Sequence, residues 1–118
     1  MYGLPDTTDL SFIKNKALLQ VCIGFNEIIL NFDGNTSITA QTDIAHTSNG
    51  EITAVYKTCT PMAPMLVRFL HQSVTKVSIQ APGTLILEFS NDEGLAIYDA
   101  SSEYESYQVS HSGKIIVV

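Results

Sequence analysis

The chain has 118 residues, 45% of them hydrophobic, and a formal net charge of −6 from six Lys and Arg against twelve Asp and Glu. That size predicts one domain with a core burying about two-thirds of the surface an unfolded chain exposes, and the apolar share excludes a disordered chain. The acidic balance excludes nucleic acid, which needs a basic stripe, and disfavours an anionic membrane surface.

Residues 1–9 are polar and acidic, with neither the basic nor the apolar segment of a signal peptide. No apolar run approaches the roughly 20 residues of a membrane span. The expected location is the cytoplasm, where Cys22 and Cys59 read as small buried hydrophobes and not as a disulfide.

Taken in order, Asp6, Thr7, Thr8 and Asp9 offer capping oxygens ahead of Leu10, Phe12 and Ile13. They predict one helical turn that covers an end of the core. Residues 17–24 alternate as a strand, with Leu19, Val21 and Ile23 on one face and Leu18, Gln20 and Cys22 on the other. Residues 27–33 return with Ile28, Leu30 and Phe32 alternating, and Asp33-Gly34-Asn35 is a hairpin signal because Gly and Asn accept positive φ. Residues 36–45 continue the meander, and residues 51–56 close it after a turn at Ser48-Asn49-Gly50. In residues 60–72, Met62, Met65, Leu66, Phe69 and Leu70 recur at helical spacing, with Pro61 and Pro64 at the entry. This predicts the one helix, regular from about residue 64. Strands follow at 74–81, 84–90, 94–99 and 114–118, with turns at Pro82-Gly83 and residues 91–93.

The second set of strands repeats the first. Val21 and Ile23 match Val77 and Ile79; Ile29, Leu30 and Phe32 match Ile86, Leu87 and Phe89; Ile38 matches Leu95. NGEITAV at 49–55 matches SGKIIVV at 112–118, pairing Gly50 with Gly113, Ile52 with Ile115 and Val55 with Val118. Between its third and fourth strands the second copy carries six more residues, in the stretch DASSEYESYQVSH at 99–111.

Charge is the strongest anomaly. From Val77 to Gly113 there is no Lys or Arg, while Glu88, Asp92, Glu93, Asp99, Glu103 and Glu105 fall there, interleaved with Tyr98, Tyr104 and Tyr107. Carboxylates steer a basic partner and tyrosines supply apolar area with a polar tip. Asp92, Glu93, Asp99, Glu103, Tyr104, Glu105 and Tyr107 are therefore the candidate binding residues; the plainer reading is a solvated acidic face. His46, His71 and His111 are dispersed without zinc-type spacing, so neither metal nor cofactor is expected and structural roles fit all three. Asp43 lies near His46 in the chain, but no pair of acids, nucleophile elbow or phosphate-cradling loop is evident.

The segments LPDTTDLSFIKNK at the start, SVTKV and PGTLILEFSN further on, and YESYQV at 104–109 resemble a family of small uncharacterised bacterial proteins. The likeness covers most of the chain, rests on turn and core positions, and implies a stand-alone domain without assigned activity. By size and charge such a protein is similar to immunity proteins, which neutralise a toxin by capping it.

The fold is expected to be α+β and mainly antiparallel β, a single domain over 1–118. Two tandem-related meanders, 17–58 and 74–118, surround a shared core with one covering helix near 64–72. Leu30, Phe32, Leu87 and Phe89 belong to that core, where Val21 and Ile23 meet Val77 and Ile79. The expected function is a non-enzymatic protein-binding module, immunity-like, that uses the acidic and tyrosine surface against a basic protein. The alternative is a self-associating structural protein, a homo-oligomer formed through the apolar terminal strand. An enzyme with an unrecognised pocket ranks third.

Overall fold

The computed structural model describes residues 8–80, 82–99 and 106–118. Its strands are β1 (Leu18–Ile23), β2 (Ile28–Phe32), β3 (Thr36–Ala40), β4 (Ile44–Ser48) and β5 (Glu51–Tyr56) in the first half. The second half contributes β6 (Val74–Gln80), β7 (Thr84–Phe89), β8 (Glu93–Ile97), β9 (Tyr107–His111) and β10 (Lys114–Val117). All pairings are antiparallel and form two five-stranded sheets, one ordered β1-β2-β3-β9-β10 and the other β5-β4-β8-β7-β6. The fold is mainly antiparallel β with one short helical segment, in the α+β class.

The halves exchange their last hairpins. The first half builds three strands of one sheet and gives β4–β5 to the other, while the second half builds three strands there and gives β9–β10 back. The pairings repeat with the halves interchanged: Leu18 opposes Phe32 as Val74 opposes Phe89, and Leu30 opposes Ile38 as Leu87 opposes Leu95. The two halves are stitched at their entries, where Ala17 bridges Ser73. There the Leu18 amide donates to the Gln72 carbonyl at 3.0 Å, and the Val74 amide donates to the Lys16 carbonyl at 2.9 Å.

Inward side chains of both sheets form one core. Leu30, Ile38 and Val109 come from one sheet, and Leu87, Leu95 and Ile97 from the other, each at most 1% exposed. Phe32 and Phe89 occupy equivalent positions and stack at 6.4 Å between ring centres, while Phe69 tilts against Phe89 at 4.9 Å.

Two local features differ from the sequence reading. A bulge between Leu18 and Gln20 shifts the parity of β1, so Leu18 is fully buried and Leu19 is 51% exposed, while Ile23, opposite buried Ile28, ends this edge strand and stays 49% exposed. Val21, Val77 and Ile79 pack against the core from partly buried positions, but Ile23 does not join them. The helical segment is also shorter than the pattern predicts. It is a 3-10 turn at Thr60–Met62, one α turn at Ala63–Leu66 and a second 3-10 turn at Val67–Phe69. It stops because Leu70 is extended and His71 adopts φ 67, which turns the chain into the Ala17–Ser73 bridge. Met62, Leu66 and Phe69 are the side chains it buries.

Because Phe89 touches both of its ring partners and has no route to solvent, Phe89→Ala is expected to cost about 3–5 kcal/mol in urea unfolding. A midpoint equal to wild type would contradict the placement of this ring at the centre of the core.

Candidate functional site

The register separates the residues expected to form one acidic and tyrosine surface. Asp92 is exposed in the β7–β8 turn at φ 64, where its carbonyl accepts a hydrogen bond from the Asn49 amide at 2.9 Å. Asp99 is 6% exposed. Tyr107 is 1% exposed, because β9 pairs with β3 so that Tyr107 and Val109 face inward. Its hydroxyl donates to the Gly83 carbonyl at 2.7 Å, and burial, with the charge of Asp99 second, pushes the phenol above its ordinary range. Glu93 opens β8 on its inner face and is the centre of a polar cluster. Glu103, Tyr104 and Glu105 lie outside the described residues.

In that cluster, one Glu93 carboxylate oxygen lies 2.6 Å from Nε2 of His46, and the other accepts from Arg68 at 2.8 Å and from Asn91 at 3.3 Å. Nδ1 of His46 lies 2.5 Å from Oγ1 of Thr53, and that hydroxyl is 3.1 Å from the His46 carbonyl. The His46 and Glu93 side chains are 7% and 13% exposed, whereas Thr53 faces solvent. Phe69 meets the imidazole edge-on at 6.1 Å between ring centres. Asp43 is elsewhere, accepting from the Thr58 amide at 2.9 Å and pairing with Lys57. The sequence gives Thr53 no distinction. Opposite it, the register slips between His46 and Thr47, so Ala54 faces His46, Ile52 faces Thr47 and Thr53 is the extra residue of a bulge. Bulges re-aim side chains in this way.

Acidic and tyrosine side chains do meet on the outer face of this same sheet, β5-β4-β8-β7-β6, around a trough of about 600 Å³. The cross-strand row Lys76, Glu88, Gly94, Thr47, Ile52 and the next row Ser78, Ile86, Ala96, Ala45, Val55 show why the trough exists. Small residues occupy the two central strands, β8 and β4, and longer ones stand on the flanking strands. Ile86 and Ile52 form the banks, Tyr98 lines one side, and Glu51 and Glu88 bring acidic groups to the rim. Lys76 pairs with Glu88 only loosely, at 3.9 Å.

Gly94 is required by this geometry. A Cβ there would collide with the Leu87 carbonyl oxygen and lie 2.5 Å from Thr47 Oγ1, so no side chain fits without moving backbone.

Among the described residues, no three His, Cys, Asp or Glu side chains converge as a metal site. Cys59 is buried with its thiol near the Ala40 carbonyl, and burial pushes that thiol up, so it is not a ready nucleophile. No helix among them is long and apolar enough to cross a membrane. No family model, curated protein or solved structure matches the chain.

Gly94→Ala is expected to destabilise the protein by about 1–3 kcal/mol through overpacking against Leu87 and Thr47. Thermal unfolding checks this, and an unchanged melting temperature would show that the trough floor has room to spare.

Proposed function

We propose that this protein is a protein-binding module whose partner lays an apolar, basic segment along the trough. The trough carries the reading. Its volume is within the range of about 300–1,000 Å³ typical of ligand sites. Its banks offer Ile52, at 58% exposure, together with Ile86 and Tyr98, and its rim carries Glu51 and Glu88. An aromatic beside aliphatic groups supplies contact energy, and carboxylates within a net charge of −6 steer a basic partner. An immunity-like role, capping a basic toxin in the cytoplasm, is one instance of such binding.

The exposed edge of β10 supports self-association as a second reading. Ile115 is 59% and Val117 38% exposed, on a strand that pairs only with β9. Edge strands of this kind recruit another strand unless blocked.

Ile86→Arg should melt like wild type and lose a partner that wild type captures from a lysate, whereas Glu103→Lys/Glu105→Lys should keep it. Capture retained by the first and lost by the second would move binding to the acidic run; capture by neither wild type nor variants defeats the reading.

Sedimentation over a wide concentration range separates the self-associating alternative. A mass that grows with concentration and is restored to monomer by Ile115→Lys supports it, and a constant monomer mass removes it.

A further inference from the structure

We propose that Thr53, His46 and Glu93 form a hydroxyl–imidazole–carboxylate relay that makes Thr53 Oγ1 an acyl acceptor for activated esters. A nucleophile within hydrogen-bond reach of a base, with the base oriented by a third group, is the arrangement such chemistry needs. Here Oγ1 is 2.5 Å from Nδ1, Nε2 is 2.6 Å from the Glu93 carboxylate, and Arg68 and Asn91 hold the far oxygen of that carboxylate. The base and its orienter are largely buried while Thr53 is an exposed residue of the edge strand, so of the three it is the one nearest solvent.

The proton has two fully bonded resting places. An ionised carboxylate only accepts, so Nε2 carries its hydrogen toward Glu93 and the neutral ring offers Nδ1 as acceptor for the Thr53 hydroxyl. Once Nδ1 is protonated it donates back to Oγ1. With no acyl group attached, the hydroxyl hydrogen then turns to the His46 carbonyl, 3.1 Å away. Neither state leaves a buried polar group unpaired.

The other half of the molecule serves as an internal control. His46 opposes Leu95 on β8 as Val109 opposes Ile38 on β3. Glu93 opposes Ser48 as Thr36 opposes His111, and Arg68 is the middle residue of its 3-10 turn as Phe12 is of Ser11–Ile13. In the control half the regular β9–β10 pairing has no counterpart to Thr53. There Thr36 stands in place of Glu93 and its hydroxyl lies 2.8 Å from Nδ1 of His111, so the scaffold holds a hydroxyl–imidazole pair without a carboxylate, and packing alone does not require Glu93.

In the reaction, Thr53 Oγ1 attacks the ester carbonyl carbon. The Oγ1–C bond forms, the hydroxyl proton passes to Nδ1, and the bond between the carbonyl carbon and the phenolic oxygen breaks with its electron pair departing on the phenolate. The phenolate or solvent then takes the proton from Nδ1. Attack by water on the threonyl ester, with His46 again accepting a proton, restores the hydroxyl and releases the carboxylic acid.

The test treats the whole chain with p-nitrophenyl acetate and locates acetyl groups by peptide mass. One acetyl on Thr53 is expected in the folded wild type and in Thr53→Ser at the matching residue, and none at this position in Thr53→Val. Glu93 acts through His46 as a positioning residue, so Glu93→Gln should lower the maximal acylation rate about 100-fold. The ester concentration giving half that rate should not change. Absence of acetyl from Thr53 in wild type, or equal rates in wild type and Glu93→Gln, overturns the proposal. Should Glu93→Gln fail to fold, urea-unfolded wild type replaces it, and equal labelling of Thr53 in folded and unfolded chains is the overturning result.

Discussion

The exchange of hairpins is the constraint on which the rest of the molecule depends. Three strands from one half leave an open edge on β3 or β8, and the other half closes it, β9 against β3 and β4 against β8. Open edges of that kind invite association with other chains. Closing them in this way makes the two halves mutually dependent, and the Ala17–Ser73 bridge adds a second seam between their entries. Such pairings join residues distant in sequence, so their loop-closure entropy must be met before the sheets are complete.

The polar cluster answers a problem the exchange creates. Two hairpins of related sequence could each return to their own half. On β3, His46 would take the place of Val109, opposite Ile38 and beside Thr36, with Phe12 where Arg68 now lies. Val109 would then oppose Leu95 and His111 would oppose Glu93, so His46 would meet Thr36 where it now meets a carboxylate. The His46–Glu93 contact thus belongs to the exchanged pairing alone. Consistency between local and global preferences of this kind is what gives a sequence one fold.

Much of the fold was legible because alternation and turn chemistry agree. Leu30, Phe32, Leu87 and Phe89 alternate and are buried, and Asn35, Asn49 and Asp92 carry the positive φ that short polar side chains tolerate. The extra residues between the third and fourth strands of the second copy fall between β8 and β9. What alternation hides is a one-residue change of parity. The bulge at Leu18/Gln20 puts both Leu18 and Val21 on the inner face and leaves Leu19 outside, and the bulge at Thr53 moves the repeat by one, so Tyr56, opposite Ile44, corresponds to Val118, bonded to Tyr107, in place of Val55. The break at residues 41–43, where the chain changes sheets, carries no Gly or Pro and reads as continuing strand. Strand β9 was concealed for another reason: its alternating Tyr107 and Val109 follow a run of acids and tyrosines whose charge pattern reads as surface. Charge patterning reports composition, whereas the direction of Glu93 and Tyr107 is fixed by which strand each one pairs with.

The extra residue Thr53 serves the inner cluster and leaves the outer face of the sheet in register. Ile52 opposes Thr47 as Ile115 opposes Ser110 in the regular β9–β10 pairing, so it stands outward as a bank of the trough on the turn side of the bulge, and Ala54 opposes His46 past it. Thr53 itself is turned to the imidazole. The trough and the His46–Glu93 cluster thus lie back to back on one sheet, and the bulge on its edge strand brings Thr53 to the cluster without disturbing the trough. An edge position is where such an insertion costs least, because only one neighbouring ladder has to absorb the slip.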